Sequence, residues 1–247
     1  MKNLNKIDYL LHLADNALIM GHRCSEWCGH GPVLEQDIAI SNIALDYIGQ
    51  ARNLYQYAAE LINTKNDPSL GFVLPATEDT LAYLRDTTDY KNHLLVELPN
   101  GDWAVTTLRL FLFSSYQYLL YSELIKNEDT QISAIAEKSL KEVTYHVRWS
   151  GDWVIRLGDG TEESKDKIEK AIEYLWSYTG ELFSGNDLSI ELNWNNKVES
   201  IFNEATLIMP KKIWMQGGGL KGIHTEHLGF ILAEMQHLQR AYPNSEW

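Results

Sequence analysis

A short segment in the second half of the chain carries the residue types of a metal-binding helix: Glu142-Val143-Thr144-Tyr145-His146. Residues three or four positions apart share one face of an α-helix, and helical bundles that hold two iron ions for oxygen chemistry use Glu-x-x-His from each of two helices. Here Tyr145 takes the position of that histidine, and His146 follows one residue later. The segment predicts either one carboxylate–histidine contact or an ordinary polar helix pair, and the spacing favours the second interpretation.

The other positions that a two-iron site requires are also poorly supplied. Asp46-x-x-Gly49 on the second predicted helix has no histidine, and the middle of the third offers only serines and a glutamine: Ser114, Ser115 and Gln117. Carboxylates without imidazoles make a poor oxygen-activating centre. We therefore predict a polar network without catalytic, cofactor-binding or metal-binding residues, at degenerate positions of a two-iron site: Asp15, Asp46, Gly49, Glu142 and Tyr145.

A second group of possible metal ligands lies near the end of the first predicted helix, where His22, Cys24, Cys28 and His30 form a His-x-Cys-x-x-x-Cys-x-His pattern. Imidazole and thiolate groups are the usual ligands of zinc. Structural zinc sites usually draw their ligands from two separated segments, because so short a stretch rarely surrounds an ion by itself. The pattern favours partly buried, reduced thiols over zinc.

Two further features lie near the C-terminus. The histidines of His224-Thr225-Glu226-His227 are three apart, but Thr225 as the N-cap of a helix explains the segment more simply. The glycine-rich stretch from Gly217 to Gly222 has the composition of a phosphate-binding loop, yet it lacks the Gly-Lys-Ser/Thr ending. We interpret this stretch as a flexible or partner-contacting loop.

Composition limits the classes of function that remain. The chain has 247 residues, of which 45% are hydrophobic, enough for a packed core, and its formal net charge is −13. Because this charge repels polyanions, we expect no nucleic-acid partner. The sequence has no signal peptide at its start and no apolar run of membrane-spanning length, so we expect a soluble protein of the cytoplasm without a membrane partner.

Apolar periodicity predicts helices almost throughout, and hence an all-α fold. Residues 1–247 are expected to form one ferritin-like domain, with two pairs of long helices and additional C-terminal helices. The predicted helices cover 7–23, 33–62, 103–125, 130–157, 163–183, 198–209 and 225–241, with a shorter helical patch at 81–98.

Some polar residues on these helices call for an explanation. On the second helix, Asn42, Asp46, Gly49 and Asn53 form a row that would suit a polar bundle interior. Carboxylates buried there would need partners, and we expect Asn42, Asn53, Tyr145, an arginine or water to supply them. Two Gly-Asp-Trp triplets, at 101–103 and 151–153, occur in different helical contexts and are interpreted as coincidence.

Several stretches give the chain a family resemblance that periodicity cannot supply. It resembles the C subunits of bacterial phenylacetyl-CoA epoxidases, the multicomponent ring-epoxidising monooxygenases of phenylacetate degradation. The similar stretches run over most of the chain: Glu26-Trp27-Cys28-Gly29-His30, residues 37–39, 42–46 and 49–53, Leu95-Val96-Glu97, Pro99-Asn100-Gly101, Lys141-Glu142 with Tyr145-His146, and residues 203–207, 218–222, 224–229 and 232–236.

The resemblance implies a ferritin-like, non-catalytic subunit that pairs with and stabilises a homologous catalytic A subunit. That partner would hold the di-iron centre, bind the acyl-CoA and insert oxygen into its ring. Further subunits and a flavin and iron–sulfur reductase would complete the assembly. Gly49 and Tyr145 agree with this implication, because they stand where the catalytic relative would need imidazoles.

Two other functions stay open from the residues themselves. The chain could be a metal-binding ferritin-like oxidase in its own right that uses Asp15, Asp46, Glu142 and His146, with water completing the coordination sphere. It could also be a small-molecule binding module in which the loop at 217–222, with Lys221, binds a coenzyme A phosphate. Stoichiometric iron in the isolated chain would favour the first, and substrate affinity without a partner would favour the second.

Overall fold

The computed structural model describes residues 5–184, 188–211, 214–243 and 245. Within these residues the regular structure is helical and no strand occurs, which confirms the predicted all-α fold class. The α-helices are α1 (Lys6–Ser25), α2 (Leu34–Lys65), α3 (Glu78–Tyr83), α4 (Leu94–Glu97), α5 (Trp103–Leu124), α6 (Thr130–Gly158), α7 (Glu162–Leu175), α8 (Leu188–Glu204), α9 (Glu226–Met235) and α10 (His237–Ala241). In the described part of the chain, no helix is both long and apolar enough to span a membrane.

The chain divides into two compact units. The central unit is Pro99–Gly217, with helices α5 to α8. The terminal unit combines the described residues up to Leu98 with those from Gly218 onward, and so contains α1 to α4, α9 and α10. That residues 1–247 form a single ferritin-like domain stays a prediction.

The terminal unit is built on the antiparallel pair α1 and α2. Lys6, at the start of α1, lies over the ring of Tyr57 near the end of α2, whereas Gly21, near the end of α1, faces Tyr47. Asn5 caps α1 by accepting a hydrogen bond from the backbone N–H of Asp8. Most of α1 is buried, including three polar residues in its middle: His12, Asp15 and Asn16. A helix that is buried nearly all round must supply partners for such groups.

The central unit is built on the antiparallel pair α5 and α6, with α7 and α8 packed against it. The side chain of Asp102 caps α5, as the sequence predicts, by accepting from the N–H of Val105. Trp194 of α8 is buried and donates its indole N–H to the carbonyl oxygen of Leu112 on α5 at 2.9 Å. Its ring also lies 5.2 Å from that of Phe183 and 5.8 Å from that of Trp176. These aromatic contacts join α8 to the core of this unit.

The boundaries of the four longest helices agree closely with the prediction, but four later or shorter elements do not. The helix predicted over 163–183 ends at Leu175, and two 3₁₀ turns follow it, Trp176–Tyr178 and Gly180–Phe183. The patch predicted as one helix over 81–98 is α3, a 3₁₀ turn at Thr87–Asp89 and α4, because residues 90–93 are extended and bond to polar groups of α1. Helix α8 begins at Leu188 rather than 198, since Ile190, Trp194, Val198 and Phe202 bury one face through its asparagine-rich part. The last predicted helix, 225–241, is divided into α9 and α10.

Candidate functional site

Asp15 is the predicted site residue that lies deepest, with no exposed surface. Its Oδ1 accepts hydrogen bonds from the hydroxyl of Tyr55 at 2.5 Å and from Nη2 of Arg85. Its Oδ2 accepts from Nη1 of Arg85 at 3.2 Å and from the backbone N–H of Lys91 at 2.7 Å. A carboxylate has about four lone-pair positions. All of them are thus used by donors of the protein.

Arg85 is the cation of this buried pair. Burial disfavours its charged form, but the charge of Asp15 and the neighbouring tyrosines outweigh that effect, so the pKa of Arg85 is raised. Its guanidinium also lies 4.4 Å from the ring centroid of Tyr90, a cation–π distance. Burial, together with the charge of Asp15, raises the pKa of Tyr55, which therefore stays a neutral hydrogen-bond donor. The positive charge beside Asp15 is therefore supplied by the side chain of Arg85.

Two histidines lie next to this pair in the terminal unit. His12 contacts the carbonyl oxygen of Lys91 through Nδ1 at 2.6 Å, and its ring is T-stacked on that of His93 with the centroids 4.6 Å apart. Both rings are buried. Burial lowers the pKa of each, for His93 well below the ordinary value, with a further contribution from His12. Both therefore act as neutral polar groups around neutral pH.

Asp46 and Gly49 are partly exposed. A Cβ added to Gly49 would meet no atom within 4 Å. The row that the sequence predicts for a polar interior, Asn42, Asp46, Gly49 and Asn53, is therefore accessible to solvent, with Asn42 fully exposed. The reason is that the buried face of α2 runs through other residues: Ile43, Tyr47, Gln50, Leu54, Tyr55 and Ala58. For Asp15, the expected arginine partner is confirmed as Arg85, whereas the other donors are the hydroxyl of Tyr55 and the backbone N–H of Lys91 instead of Asn42, Asn53 or Tyr145.

Glu142 and Tyr145 belong to the other, central unit. Tyr145 is 38% exposed and Glu142 partly exposed, whereas the adjacent His146 is completely buried. The buried face of α6 includes Ser139, Val143, His146 and Ser150, so the predicted Glu142–Tyr145 pair is displaced from it by one residue. That the five predicted positions correspond to metal ligands of a relative stays a prediction.

The residues that the structure describes do not fit a metal centre. Over the described ranges, no group of three or more histidine, cysteine, aspartate or glutamate side chains is placed to hold an ion. Within the proposed zinc pattern, Cys24 is buried and Cys28 exposed, and Nδ1 of His30 contacts the carbonyl oxygen of Cys28 at 3.1 Å. Asp15, the most buried carboxylate of the predicted set, is already saturated by protein donors.

The segment that begins at His224 has a partner that the sequence did not reveal. Nδ1 of His224 lies 2.8 Å from Oε2 of Glu97, and Nε2 lies 3.0 Å from the carbonyl oxygen of Tyr90. Glu97 is completely buried; it also accepts from the N–H of Thr225 at 2.6 Å and from the amide of Asn92 at 2.8 Å. Thr225 occupies the N-cap position of α9, as predicted, but its side chain makes no capping hydrogen bond, and its own N–H donates to Glu97.

The protonation of His224 follows from these two contacts. Burial alone would lower the pKa of His224, but the hydrogen bond and charge of Glu97, with the Tyr90 carbonyl, raise it above the ordinary value. Since both ring nitrogens face acceptors, the imidazolium form satisfies them best. The pair connects α4 to the start of α9.

The glycine-rich loop is packed against the same unit. Its residues Gly219–Lys221 form a 3₁₀ turn, and Gly222 has a positive φ of 71°. A Cβ at Gly222 would overlap the carbonyl group of Thr88. Close backbone approach therefore explains this glycine, and Lys221 stays exposed.

Sequence reasoning expected an arginine as one possible partner of a buried carboxylate but did not identify Arg85, and it missed the pairing of Glu97 with His224. One signal was available, since Asp15 lies among apolar residues of the first helix, such as Leu11 and Leu18, and a carboxylate buried there requires a cation or several donors. The sequence does not identify which arginine pairs with Asp15, because the partner lies 70 residues away along the chain.

Comparisons with known proteins agree with one another. A family model described as "Phenylacetic acid catabolic protein" matches residues 1–247. A curated relative, the C subunit of the 1,2-phenylacetyl-CoA epoxidase of Escherichia coli (strain K12), is 43% identical over 253 residues. The alignment covers 97% of this chain and 98% of that protein.

Proposed function

Because the chain belongs to the phenylacetic acid catabolic protein family, with its ferritin-like helical fold, we propose that it is the C-type subunit of a phenylacetyl-CoA epoxidase. In this proposal the subunit is structural and does not perform the oxygen chemistry. Its relative from Escherichia coli carries that subunit name, and the alignment extends over nearly the full length of both chains.

One observation carries the non-catalytic role: the carboxylate of Asp15 is saturated by Arg85, Tyr55 and the N–H of Lys91. Iron would have to displace a guanidinium that already balances the carboxylate charge. Uncovering a buried charge in this way is costly. The ion pair thus supplies internally the positive charge that a metal would bring.

The proposed partner is a homologous catalytic A subunit that holds the di-iron centre and the acyl-CoA. Further subunits and a flavin and iron–sulfur reductase would complete the complex. The role of this chain is then to stabilise the partner through a large interface between helices, of the order of 2,000 Å² or more. We place the complex in the cytoplasm, where cysteines outside disulfides, such as Cys24 and Cys28, stay reduced.

Co-expression with a candidate catalytic homologue tests the proposal. The chain is purified alone and as the complex, and iron is measured per chain together with ring epoxidation of phenylacetyl-CoA. We expect the chain alone to bind no stoichiometric iron and to be inactive, and the partner to carry iron and to be more stable in the complex. Stoichiometric iron and oxygenase activity in this chain alone would contradict the proposal.

An Arg85→Met variant provides a matched control for the metal measurement. If Arg85 is what occupies the carboxylate, its removal can only increase the access of a metal to Asp15. If the wild-type chain binds iron and the Arg85→Met variant binds the same amount, the metal is not bound at Asp15. The exposed Arg52, which pairs with Glu78 on the surface, serves as the reference substitution Arg52→Met.

A further inference from the structure

The outward face of α2 carries large apolar side chains that are exposed to solvent. Leu34 is 72% exposed, Ile38 53% and Leu45 69%. Spacings of four and seven residues place all three on one line along the helix. The four longest helices are described in full, and the only other exposed large apolar side chain on them is Tyr145 of α6, at 38%. Apolar surface concentrated in this way marks an interaction site.

The rest of this line is uncharged. Asn42 lies one turn after Ile38, and Gly49 lies one turn after Leu45. We call Leu34, Ile38, Asn42, Leu45 and Gly49 the α2 stripe. At a rise of 1.5 Å per residue the stripe is about 22 Å long. An uncharged line of this length and straightness fits the side of another helix, because helices pack along such rows of side chains.

Gly49 marks the position of closest approach on the stripe. Its φ is not positive, and a Cβ there would meet no other described part of the chain within 4 Å. Neither the backbone conformation nor the packing of this chain therefore requires a glycine. A glycine inside a helix costs stability relative to alanine, but it lets a second backbone come closer than any other residue does. The open space at Gly49 suits a helix that belongs to a different chain.

The charges beside the stripe are acidic and limit what can cover it. Glu35 and Asp46 lie along one side, since each follows a stripe residue by one position. A second copy would oppose these acids with like charges, and both copies have a net charge of −13. An anionic membrane surface would repel them as well. The complementary partner is a chain with lysine or arginine beside an apolar helix face.

Resting on the proposed function, we infer that the α2 stripe is the surface on which the homologous A-type subunit docks one of its helices. That helix presents apolar side chains to the stripe, packs closest at Gly49 and carries basic residues opposite Glu35 and Asp46. The stripe is then the apolar centre of the large interface that the proposed function requires, and the two acids belong to its polar rim.

The association of the full-length chain with the candidate catalytic homologue tests this inference. The two proteins are purified separately, and their affinity is measured by biolayer interferometry at low and high salt. The variants are Leu45→Glu, Gly49→Ala, Gly49→Leu and the double charge reversal Glu35→Lys with Asp46→Lys. Leu192→Glu is the matched control, because Leu192 is a leucine of α8, 63% exposed, that lies outside the stripe. The thermal midpoint of each variant is measured on the chain alone.

We expect Leu45→Glu and Gly49→Leu to weaken association by about tenfold or more, as loss of a central contact does, and Leu192→Glu to leave it unchanged. Gly49→Ala should raise the thermal midpoint, since alanine is the better helix former, and yet weaken association. A glycine with only a structural role would not give this combination. The double charge reversal should weaken association strongly at low salt and less at high salt.

The inference is overturned if the wild-type complex forms and Leu45→Glu weakens it no more than Leu192→Glu does. It is also overturned if Gly49→Leu leaves the affinity unchanged, or if the double charge reversal strengthens binding. Sedimentation velocity of the chain alone gives a further test. A dimer that Leu45→Glu converts to a monomer would identify a second copy as the occupant.

These outcomes leave the proposed function standing, because the wild-type complex still forms. Failure of the wild-type chain to bind the catalytic homologue would instead contradict the proposed function, and the inference would fall with it. The two failures are thus distinguished by the wild-type measurement.

Discussion

At the scale of single residues, the chain is distinguished by how its buried charges are balanced. Asp15 and Arg85 are both almost completely buried, with side-chain exposures of 0% and 6%. Such a pair is not in itself evidence of high stability, because the desolvation of two ions offsets their attraction. Its two halves nevertheless depend on each other, since either charge alone would be left uncompensated inside the protein.

Matched substitutions of two aspartates test this dependence. Asp15→Leu should lower the free energy of unfolding by about 3–5 kcal/mol, because it leaves the Arg85 guanidinium buried without its counter-ion. Asp46→Leu, at a partly exposed position of the neighbouring helix, should cost about 1 kcal/mol or less. Equilibrium urea unfolding measures both. Equal losses in the two variants would contradict the buried-pair account.

At the scale of elements, the structure shows how the short α4 and the start of α9 are connected. Glu97 receives donors from His224, Thr225 and Asn92, and its backbone carbonyl also accepts from Arg23 of α1 at 2.6 Å. Three elements thus meet at one buried glutamate. The loop of Gly218–Gly222 is held beside them by its close approach to Thr88.

The His224–Glu97 pair should make part of the stability depend on pH. A histidine whose pKa is raised on folding stabilises fully below its unfolded pKa of about 6.5 and loses that contribution as the pH rises through the folded value. The destabilisation caused by His224→Gln should therefore be larger at pH 6 than at pH 8.5. The lowered pKa values of His12 and His93 act in the opposite direction, but they are common to both proteins and cancel in the difference.

Thermal unfolding at the two pH values checks this expectation, with His237→Gln as the control for removing an exposed imidazole. A pH-independent effect of His224→Gln would mean that the imidazolium contributes nothing through its charge. The interpretation of His224 as a charged group would then fail.

Two glycines with similar backbone conformations allow the cost of backbone strain to be measured separately from the cost of steric overlap. Gly29 and Gly222 have φ values of 79° and 71°, but only at Gly222 would a Cβ overlap a neighbouring backbone group. Gly29→Ala should cost about 1–2 kcal/mol from the left-handed conformation alone. Gly222→Ala should cost clearly more, because the Thr88 segment must also move. Similar losses in denaturant unfolding would show that the loop can shift freely.

At the scale of the whole molecule, the terminal unit is assembled from both ends of the sequence. Gln236 donates to the carbonyl oxygens of Ala82 and Arg85, and Arg240 donates to the carbonyl of Arg85 and to Asp86. Together with the His224–Glu97 contact, these hydrogen bonds hold the C-terminal segment against α3 and α4. Among the described residues, the central unit is by contrast one continuous stretch, Pro99–Gly217.

Truncation after residue 217 tests this arrangement. It removes His224 and Thr225 as partners of Glu97 and removes both side-chain donors to the Arg85 carbonyl, so α3 and α4 should lose protection from hydrogen exchange and proteolysis, while α5 and α6 keep theirs. A shorter truncation after 241, which retains His224, Gln236 and Arg240, is the control. Unchanged protection of α3 and α4 in the longer truncation would contradict an assembly from both ends.

Much of the fold could be predicted because its signals are local. The periodicity and caps of α1, α2, α5 and α6 lie within each helix, and Asp102 caps α5 as expected. Helix α8 shows the limit of that approach. Its asparagines suggest a loop, and only the burial of Trp194 and Phe202 against the central unit keeps the helix continuous.

The sequence by itself determined the all-α fold class, the four long helices, the net negative charge and the family resemblance that the comparisons then confirmed. It also indicated that the histidines of a two-iron site are missing at the expected spacing. These features follow from residue identity and from neighbours within a few positions.

Only the tertiary structure decided what the buried polar groups do. Arg85 reaches Asp15 across 70 residues and His224 reaches Glu97 across 127, and no local pattern specifies either partner. The face of α6 that is buried was likewise settled by packing, which turned His146 inward and Tyr145 outward. The physical reason is that the partner of a desolvated charge is chosen by three-dimensional proximity, which the linear spacing of residues does not encode.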